Sequence, residues 1–188
     1  MEILPMRRQR IALLLALALF ALVPMAVRAQ QAAQLRGTWT LNRQQSDDIN
    51  AKINTAVARM NVVVRQIARP RLRSTNTAYP QLVITQEGGN LRVDMQGRPS
   101  LTAPTNGSAI LWQRETGRSC PQMRGDCVQV TTVWRDNALH QTFRADDGQR
   151  VNVYTLSPDG RTMTMNVTIT SPRLPDPLTY RLVYNRAS

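Results

Sequence analysis

The side chains that could carry out covalent or metal chemistry are few in this sequence and far apart along it. The chain has 188 residues, with one histidine, His140, two cysteines and twelve acidic residues. A catalytic histidine needs a nucleophile or a carboxylate held against it, and nothing in the pattern around His140 supplies one. The sequence also lacks a phosphate-binding glycine loop, a histidine-rich metal motif and a serine-hydrolase elbow. We therefore expect a non-catalytic protein with no metal site and no cofactor; an enzyme with unfamiliar catalytic residues is the open alternative.

The two cysteines, Cys120 and Cys127, are expected to form a disulfide bond with each other. Both follow a predicted export signal, and exported proteins fold where disulfides persist. A redox-active pair usually has closer spacing, and a metal site would need further ligands. The six residues between the cysteines are typical of a loop that joins two strands. Closing this loop should stabilise the fold by about 2.5 kcal/mol.

Polar residues on an otherwise apolar strand face indicate a different kind of chemistry, the binding of a small molecule. Thr132 and Gln141 are predicted to face each other between Val130 and Trp134. A buried amide without a partner costs about 1 to 3 kcal/mol, so Gln141 must find one in the protein, in water or in a ligand. Polar groups that orient a molecule within an apolar cavity are typical of ligand sites. The candidate ligand-binding residues are Trp134, Gln141, Phe143, Met163 and Met165.

The alternative for the same residues is a filled interior. A hydrogen bond between Thr132 and Gln141 across the strands would satisfy both side chains without a ligand. Met163 and Met165 would then be ordinary packing residues, as methionine often is in a core. The sequence leaves both alternatives open.

The strands that would position these residues begin at Leu82, where apolar and polar side chains start to alternate. Turn signals follow at intervals of about eight to twelve residues, which is typical of an antiparallel meander. A two-residue turn at Gly88-Gly89 pairs Ile84 with Val93 and gives one nearly continuous apolar face.

A second two-residue turn, Asp136-Asn137, sets the register around the candidate ligand residues. It pairs Thr132 with Gln141, and it puts His140 opposite Val133 on the polar face. A shift of one residue would exchange the two faces, so this register is well specified.

The next loop is predicted to have three residues, 146–148. This length lets Gln141 face Val153, whereas a two-residue loop would put Asn152 and Tyr154 on the apolar face. The apolar alternation therefore favours the longer loop.

The last two strands are also assigned from the alternation of apolar and polar residues. A three-residue loop at 158–160 pairs Val153 with Met165. The final strand presents one apolar side, formed by Leu178, Tyr180, Leu182 and Tyr184.

Ahead of the meander, Gly37 to Leu41 is a predicted strand, and the apolar period then changes to three and four residues. Residues 48–69 form one predicted amphipathic helix, with Ser46 as its N-cap and Pro70 as its end. The order is one strand, one helix and about eight or nine antiparallel strands. We predict a mainly β fold, an up-and-down meander that closes into a barrel; a two-layer sandwich or an open sheet covered by the helix is the alternative.

Residues 1–29 are typical of a cleaved signal peptide rather than of folded structure. Arginines near the start precede an apolar run from Ile11 to Val27, and Val27-Arg28-Ala29 places small residues where a signal peptidase cleaves. The run is short for a membrane-spanning helix. We expect an exported protein, periplasmic or secreted, with residues 30–188 as a single domain.

The chain is strongly basic, with 24 Lys plus Arg against 12 Asp plus Glu and a formal charge of +12. An exported protein seldom meets nucleic acid, so we expect no nucleic-acid partner. Arginines in or just after the helix either complement its dipole or contact an anionic lipid or envelope polymer. They are Arg59, Arg65, Arg69, Arg71 and Arg73.

The segment Gly37-Thr38-Trp39 resembles the Gly-x-Trp first strand of lipocalins, and the helix after this strand resembles the lid of fatty-acid-binding proteins. Both belong to the calycins, small up-and-down barrels that hold apolar ligands. The chain is also similar to a type of exported bacterial protein of unknown function, which opens with Gly-Thr-Trp and a following Leu-Asn-x-x-x-Ser, here Leu41 to Ser46. In lipocalins an arginine of the last strand packs on the first-strand tryptophan, and Arg181 or Arg186 would do so here.

The sequence and this resemblance together predict a lipocalin-like barrel that binds a small apolar or amphipathic, lipid-like molecule. The alternative is a filled barrel that acts as an envelope interaction module through its arginine-rich surface.

Overall fold

The secondary structure is mainly β. The computed structural model describes residues 34–187, so the expected signal peptide at 1–29 and the first residues of the expected domain lie outside the described residues. The elements in chain order are β1 (Gly37–Leu41), α1 (Ile49–Ala56), α2 (Val62–Thr75), β2 (Gln81–Glu87), β3 (Asn90–Met95), β4 (Leu101–Pro104), β5 (Ile110–Gln113), β6 (Cys127–Arg135), β7 (Ala138–Ala145), β8 (Gly148–Leu156), β9 (Thr162–Thr170) and β10 (Leu178–Arg186).

The ten strands of the described residues form one antiparallel sheet in the order β4-β3-β2-β1-β10-β9-β8-β7-β6-β5. The edge strands β4 and β5 meet through their side chains, because Trp112 packs in one cluster with Leu101 and Ala103. The indole Nε1 of Trp112 also donates a hydrogen bond to the Ser100 carbonyl at 3.3 Å. The sheet is therefore a nearly closed barrel, and the predicted up-and-down fold is confirmed.

The β6–β7 hairpin has the register predicted from its turn. Thr132 pairs with Gln141, and the turn residues Asp136 and Asn137 have φ values of 49° and 60°. A type I′ turn requires positive φ at both positions, which Asp and Asn tolerate better than most residues. The β2–β3 hairpin also has its predicted register around Gly88-Gly89.

The register of β8 differs from the prediction by one residue. The β7–β8 loop consists of residues 146–147, so Gln141 pairs with Asn152 rather than with Val153. Asn152 and Tyr154 are consequently buried, each with 4% of its surface exposed. The burial of these polar groups is compatible with the fold because Asn152 Nδ2 donates to the Tyr154 hydroxyl at 3.2 Å. The predicted three-residue loop was wrong because it rested on polarity alone.

The β8–β9 loop is also longer than predicted. Tyr154 pairs with Met165, where Val153 was expected. The loop is closed by the Ser157 amide, which donates to the Thr162 carbonyl at 2.9 Å. Met165 still lies on the inner face, as predicted. The error therefore concerns β8 alone, whose inner-facing and outer-facing residues are exchanged relative to the prediction.

The predicted single helix over 48–69 is wrong, because two separate helices, α1 and α2, occupy this region. The N-cap of α1 is Asp48 and not Ser46. Its carboxylate accepts hydrogen bonds from the amides of Asn50 and Ala51, which have no partner within the helix.

Helix α2 begins after Asn61, whose side chain accepts from the Val64 amide at 2.9 Å. It continues through Pro70 to Thr75, so the proline does not end the helix as predicted. A proline inside a helix leaves one carbonyl, here that of Gln66, without its amide partner. Helix α2 buries none of its residues, so water can bond that carbonyl. None of the helices between residues 34 and 187 is long and apolar enough to cross a membrane.

The apolar core surrounds Trp39, which is completely buried. Its indole donates to the Leu35 carbonyl at 2.9 Å, and the guanidinium carbon of Arg186 lies 4.3 Å from its ring centroid. The arginine that packs on this tryptophan is therefore Arg186 and not Arg181. Gly37 makes room for it, because a Cβ atom there would lie 2.6 Å from Arg186 Nη1.

The disulfide between Cys120 and Cys127 is present as predicted, with the two Cα atoms 6.3 Å apart. It closes the connection from β5 to β6. The Arg114 amide donates to the Asp126 carbonyl at 3.2 Å across the same connection.

Candidate functional site

A row of polar side chains crosses the inner wall of the barrel on three neighbouring strands. Thr132, Gln141 and Asn152 are register partners on β6, β7 and β8, and all three are buried. Gln141 Nε2 donates to Thr132 Oγ1 at 3.4 Å. Gln141 Oε1 accepts from the Tyr154 hydroxyl at 3.2 Å. The amide that was predicted to need a partner therefore has two within the protein.

The same hydrogen-bonded network continues through Arg150 to the helices. Arg150 Nε donates to Asn152 Oδ1 at 2.8 Å, and Nη1 donates to Asn76 Oδ1 at 3.4 Å. The Tyr180 hydroxyl donates to the same Asn76 oxygen at 3.0 Å. Asn76 is the C-cap residue of α2, and its Nδ2 donates to the Leu72 carbonyl at 2.9 Å. One polar network thus joins the wall of the barrel to the last turn of α2.

Two tyrosines, Tyr154 and Tyr180, belong to this network. The four tyrosines of the chain are Tyr79, Tyr154, Tyr180 and Tyr184. Burial raises the pKa of Tyr154, Tyr180 and Tyr184, and the positive charge of Arg150 acts against this effect at each of the three. These phenols therefore stay neutral at physiological pH and act as hydrogen-bonding groups.

The structure places the five candidate ligand residues in two apolar clusters with a polar row between them. The larger cluster contains Met163, Met165 and Trp134. Phe143 packs against the second cluster, and its ring centroid lies 6.4 Å from that of Trp112. Gln141 belongs to the polar row that lies between the clusters along the strands. The five residues therefore share the inner face but do not form one apolar surface.

Two buried donors on the inner wall have no hydrogen-bond partner among the described residues. They are the indole Nε1 of Trp134 and the hydroxyl of Tyr184. Buried polar groups in native proteins are nearly always hydrogen-bonded. Each of these donor atoms is enclosed by the protein, so an acceptor atom of water or of a bound molecule reaches it only when neighbouring side chains move.

A cleft of about 440 Å³ opens where β1 leads into α1. Apolar side chains form part of its wall, among them Leu41, Ile49 and Leu182. Asn76 lines the same cleft, so the cleft reaches the polar network. Most residues of its lining are polar or charged, among them Asp47, Asp48 and Arg73, so the cleft differs from the mostly apolar sites that small molecules usually occupy.

Four residues of the network were missed in the sequence analysis. Arg150, Asn152 and Tyr154 all follow from the two-residue β7–β8 loop, which was set aside because it turns polar residues inward. For Asn76 the only signal in the sequence is its position, an asparagine at the end of a helical segment, and this signal is weaker than the turn chemistry of the β7–β8 loop.

The arginines in or just after the predicted helix, expected either to complement its dipole or to contact an anionic partner, have different roles. Arg59 forms an ion pair with Asp176. Arg71 pairs with Asp147 at 3.1 Å. Arg65 Nη2 donates to two carbonyls in the break between α1 and α2, one of them that of Ala58 at 2.6 Å. Within the described residues, no ion pair is seen for the other two, Arg69 and Arg73.

The remaining side chains that could take part in chemistry lie outside this network. His140 is half-buried and pairs with Val133 on the outer face, as predicted. A hydrogen bond from Arg92 lowers the pKa of the Asp94 carboxyl, and the two form an exposed ion pair at 2.8 Å. Between residues 34 and 187, no cluster of His, Cys, Asp or Glu could hold a metal ion.

Solved structures share this fold. The "REP1-NXSQ fatty acid transporter" superposes with a TM-score of 0.52 at 15% identity, covering 83% of this chain and 98% of that chain. A "secretary abundant heat soluble (SAHS) protein" from Ramazzottius varieornatus gives a TM-score of 0.52 at 8% identity, covering 82% of this chain and 96% of that chain.

No protein-family model and no curated protein matches the sequence. At such low identity, the similarity concerns only the course of the backbone. That course agrees with the position of the Gly-x-Trp strand, the helices after it and the order of the strands in this chain. The chain therefore has a lipocalin-like, calycin-type barrel fold.

Proposed function

We propose that this protein binds a small apolar or amphipathic, lipid-like molecule inside its barrel and performs no catalysis. The observation that carries this proposal is the pair of unpartnered buried donors, Trp134 Nε1 and the Tyr184 hydroxyl, beside the larger apolar cluster of the inner wall. An apolar chain would pack against this cluster once its side chains make room, and an oxygen atom of the ligand would accept from one of these donors. One protein of similar fold is described as a fatty acid transporter, which supports this class of ligand.

The proposal includes export from the cytoplasm. Its support is the leader pattern at 1–29 together with the disulfide of the folded domain, since such bonds persist in oxidising compartments. The intact mass of the protein recovered outside the cytoplasm tests it. A mass that still includes residues 1–29 would refute the cleavage.

Displacement of a bound apolar fluorophore by dodecanol tests the ligand site. Trp134→Phe and Tyr184→Phe each remove one unpartnered donor and keep an aromatic ring at the position. At least one of them should weaken dodecanol binding roughly fivefold, because a net hydrogen bond contributes about 1 kcal/mol.

The matched control is Trp112→Phe, because the Trp112 indole already donates to the Ser100 carbonyl. This variant should bind dodecanol like the unaltered protein. A protein that takes up neither the fluorophore nor dodecanol would refute the proposal and favour the filled barrel.

A second candidate function, contact with an anionic membrane surface, is favoured by the exposed apolar residues of α2. Val62, Val63 and Ile67 expose 65%, 68% and 68% of their surfaces. They lie on the same helix as Arg69 and Arg73, and such helices bind at the boundary of anionic bilayers. The ion pairs of Arg59 and Arg71 reduce the charge available, so the apolar residues are the stronger argument.

Flotation with vesicles of phosphatidylcholine, with and without phosphatidylglycerol, tests this contact. Ile67→Asp should abolish flotation with the anionic vesicles. Thr179→Asp, an exposed position on β10, is the control and should leave it unchanged. Binding that ignores lipid charge, or that survives Ile67→Asp, would refute the second candidate.

A further inference from the structure

The edge strands β4 and β5 border a gap in the hydrogen bonding of the barrel, which we call the seam. Among the described residues, β4 pairs with β3 and β5 pairs with β6, and no ladder joins β4 to β5. The two edges meet where the Trp112 indole donates to the Ser100 carbonyl at 3.3 Å and packs in one cluster with Leu101 and Ala103. Closure of the seam therefore depends on how the end of β5 is held.

A turn formed by residues 114–119 covers the free edge of β5. The Gln113 amide donates to the Arg118 carbonyl at 2.9 Å. The next amide, that of Arg114, donates to the Asp126 carbonyl at 3.2 Å, on the side of β6. Successive amides of an extended strand point to opposite sides of it. The turn therefore lies on the side of β5 that faces the seam.

The same turn also contacts the residues that lead into β4. Gly117 has a φ of +72°, and a Cβ atom there would lie 2.8 Å from Pro99 Cβ and 3.5 Å from the Ser100 carbonyl oxygen. A glycine at this position thus allows the backbone of the turn to approach β4 closely. Ser100 is itself held against β3, because Arg92 Nη2 donates to its hydroxyl at 2.8 Å. The turn therefore fills the seam between the two edges.

The disulfide attaches the end of this turn to β6. Cys120 directly follows the turn, and Cys127 is the first residue of β6. The bond thus ties the chain on the free side of β5 to the strand on its other side. The six residues between the cysteines are mostly exposed, so they bury little surface that could hold the turn by packing. Loss of the covalent bond should therefore release the turn.

Release of the turn should stay local. The apolar cluster of Trp112 beside the seam is separate from the larger cluster around Trp39. The start of the β4–β5 connection has its own contact with β6, because the Gly107 amide donates to the Thr132 carbonyl at 3.0 Å. The ladders from β6 to β10 do not involve the turn. The rest of the barrel therefore has contacts that do not need the disulfide.

We propose that the Cys120–Cys127 disulfide is a redox-controlled clamp that closes the seam of the barrel. A thiolate of a dithiol reductant attacks the sulfur of Cys120, the more exposed cysteine, and Cys127 leaves as a thiolate. The second thiol of the reductant then displaces Cys120. The dithiol is oxidised to a disulfide, and both cysteines take up its protons to become thiols. The turn then separates from Pro99, so the closed seam depends on oxidising surroundings.

Exchange of the tryptophan indole protons, followed by NMR with and without dithiothreitol, tests the clamp. The Trp112 indole donates across the seam, whereas the Trp39 indole donates to the Leu35 carbonyl within the larger cluster. Reduction should speed exchange at Trp112 at least about tenfold and leave exchange at Trp39 unchanged. The double variant Cys120→Ser/Cys127→Ser should exchange like the reduced protein and should not respond to dithiothreitol.

Two glycines of the β5–β6 connection separate closure of the seam from the covalent bond. Gly117→Ala adds a methyl group against Pro99, so it should speed exchange at Trp112 several-fold while the disulfide stays intact. Gly125→Ala is the matched control, because Gly125 also has a positive φ, +65°, but open space surrounds it. This control should leave exchange at Trp112 unchanged. Titration of free thiols confirms that the disulfide is present in both variants.

Three results would refute the clamp. Equal exchange at Trp112 in the oxidised and reduced protein would show that the disulfide stabilises only its own loop. Equally faster exchange at Trp39 and Trp112 would show that the bond holds the whole fold rather than the seam. Equal effects of the two glycine substitutions would show that the turn does not close the seam. These measurements involve no ligand, so a protein that binds no dodecanol would refute the proposed function and leave the clamp intact.

Discussion

Trp39 is the largest side chain that the described residues bury completely, and its surroundings explain the Gly-x-Trp sequence. The guanidinium of Arg186 covers the ring, and Arg186 Nη1 also donates to the Arg36 carbonyl at 2.7 Å. This position leaves no space for a side chain at residue 37, where φ is +136°. One glycine, one tryptophan and one arginine thus join the first strand to the last.

Gly37→Ala should therefore lower the free energy of unfolding by about 1 to 3 kcal/mol, because the new methyl group meets Arg186 and the backbone is strained. Urea unfolding measures the change. Gly89→Ala is the control, since open space surrounds that position, and it should change stability by less than about 0.5 kcal/mol. Equal effects of the two substitutions would contradict this account.

Alkaline titration reports on the buried tyrosines. Burial raises the pKa of Tyr154, Tyr180 and Tyr184 above the ordinary value of 10.0, so the unfolded chain ionises first. The stability that the neutral phenols contribute is complete below about pH 10 and is lost as the pH rises above it. The disulfide-bonded cysteines do not titrate, so the three buried tyrosines are the groups whose ionisation opposes folding in this range.

Urea unfolding between pH 9 and pH 11.5 should show this loss, and Tyr184→Phe should make it shallower. The absorbance of tyrosinate should rise at a higher pH in the folded protein than in the unfolded chain. Stability that is constant up to pH 11.5 would show that these phenols are not buried.

Strand β8 shows which elements the sequence can and cannot predict. The registers around Gly88-Gly89 and Asp136-Asn137 were predicted because both turn chemistry and apolar alternation favour them. In β8 the alternation favours the wrong face, since Val151 and Val153 lie outside while Asn152 and Tyr154 lie inside. Inside the barrel, Asn152 hydrogen-bonds to Arg150 and Tyr154 of the same strand, and Tyr154 donates to Gln141 of β7. Alternation along one strand does not reveal these bonds. The β8 residues of the candidate site were not predicted because of this error in the register of β8.

Helix α2 should be the least protected element of the described chain. It buries none of its residues and contains Pro70, whereas β9 and β10 lie in the centre of the sheet. Hydrogen exchange should therefore be faster in α2 than in these strands. Pro70→Ala should slow exchange in α2, because it restores a backbone donor, and should leave exchange in β10 unchanged. Protection of α2 equal to that of β10 would contradict its placement on the surface.

At the scale of the whole molecule, the inner wall is apolar on most strands, and on β6 and β7 a polar middle separates two apolar regions. The larger apolar cluster surrounds Trp39, and the smaller one surrounds Trp112 beside the seam between β4 and β5. The polar row of β6, β7 and β8 separates them and continues to the helices. The fold class, the order of the strands and the disulfide were predictable from local pattern. The polar network was not, because it depends on contacts between residues far apart in the chain.

The central claim is that the interior of this barrel holds a lipid-like molecule. Native mass spectrometry of the protein purified from its own host, followed by solvent extraction, tests the claim most directly. The account predicts a reproducible small-molecule mass on the folded protein, which is lost or reduced in Trp134→Phe or Tyr184→Phe. A protein that carries nothing, and that also excludes dodecanol and an apolar fluorophore, would contradict the claim and show that the barrel is filled.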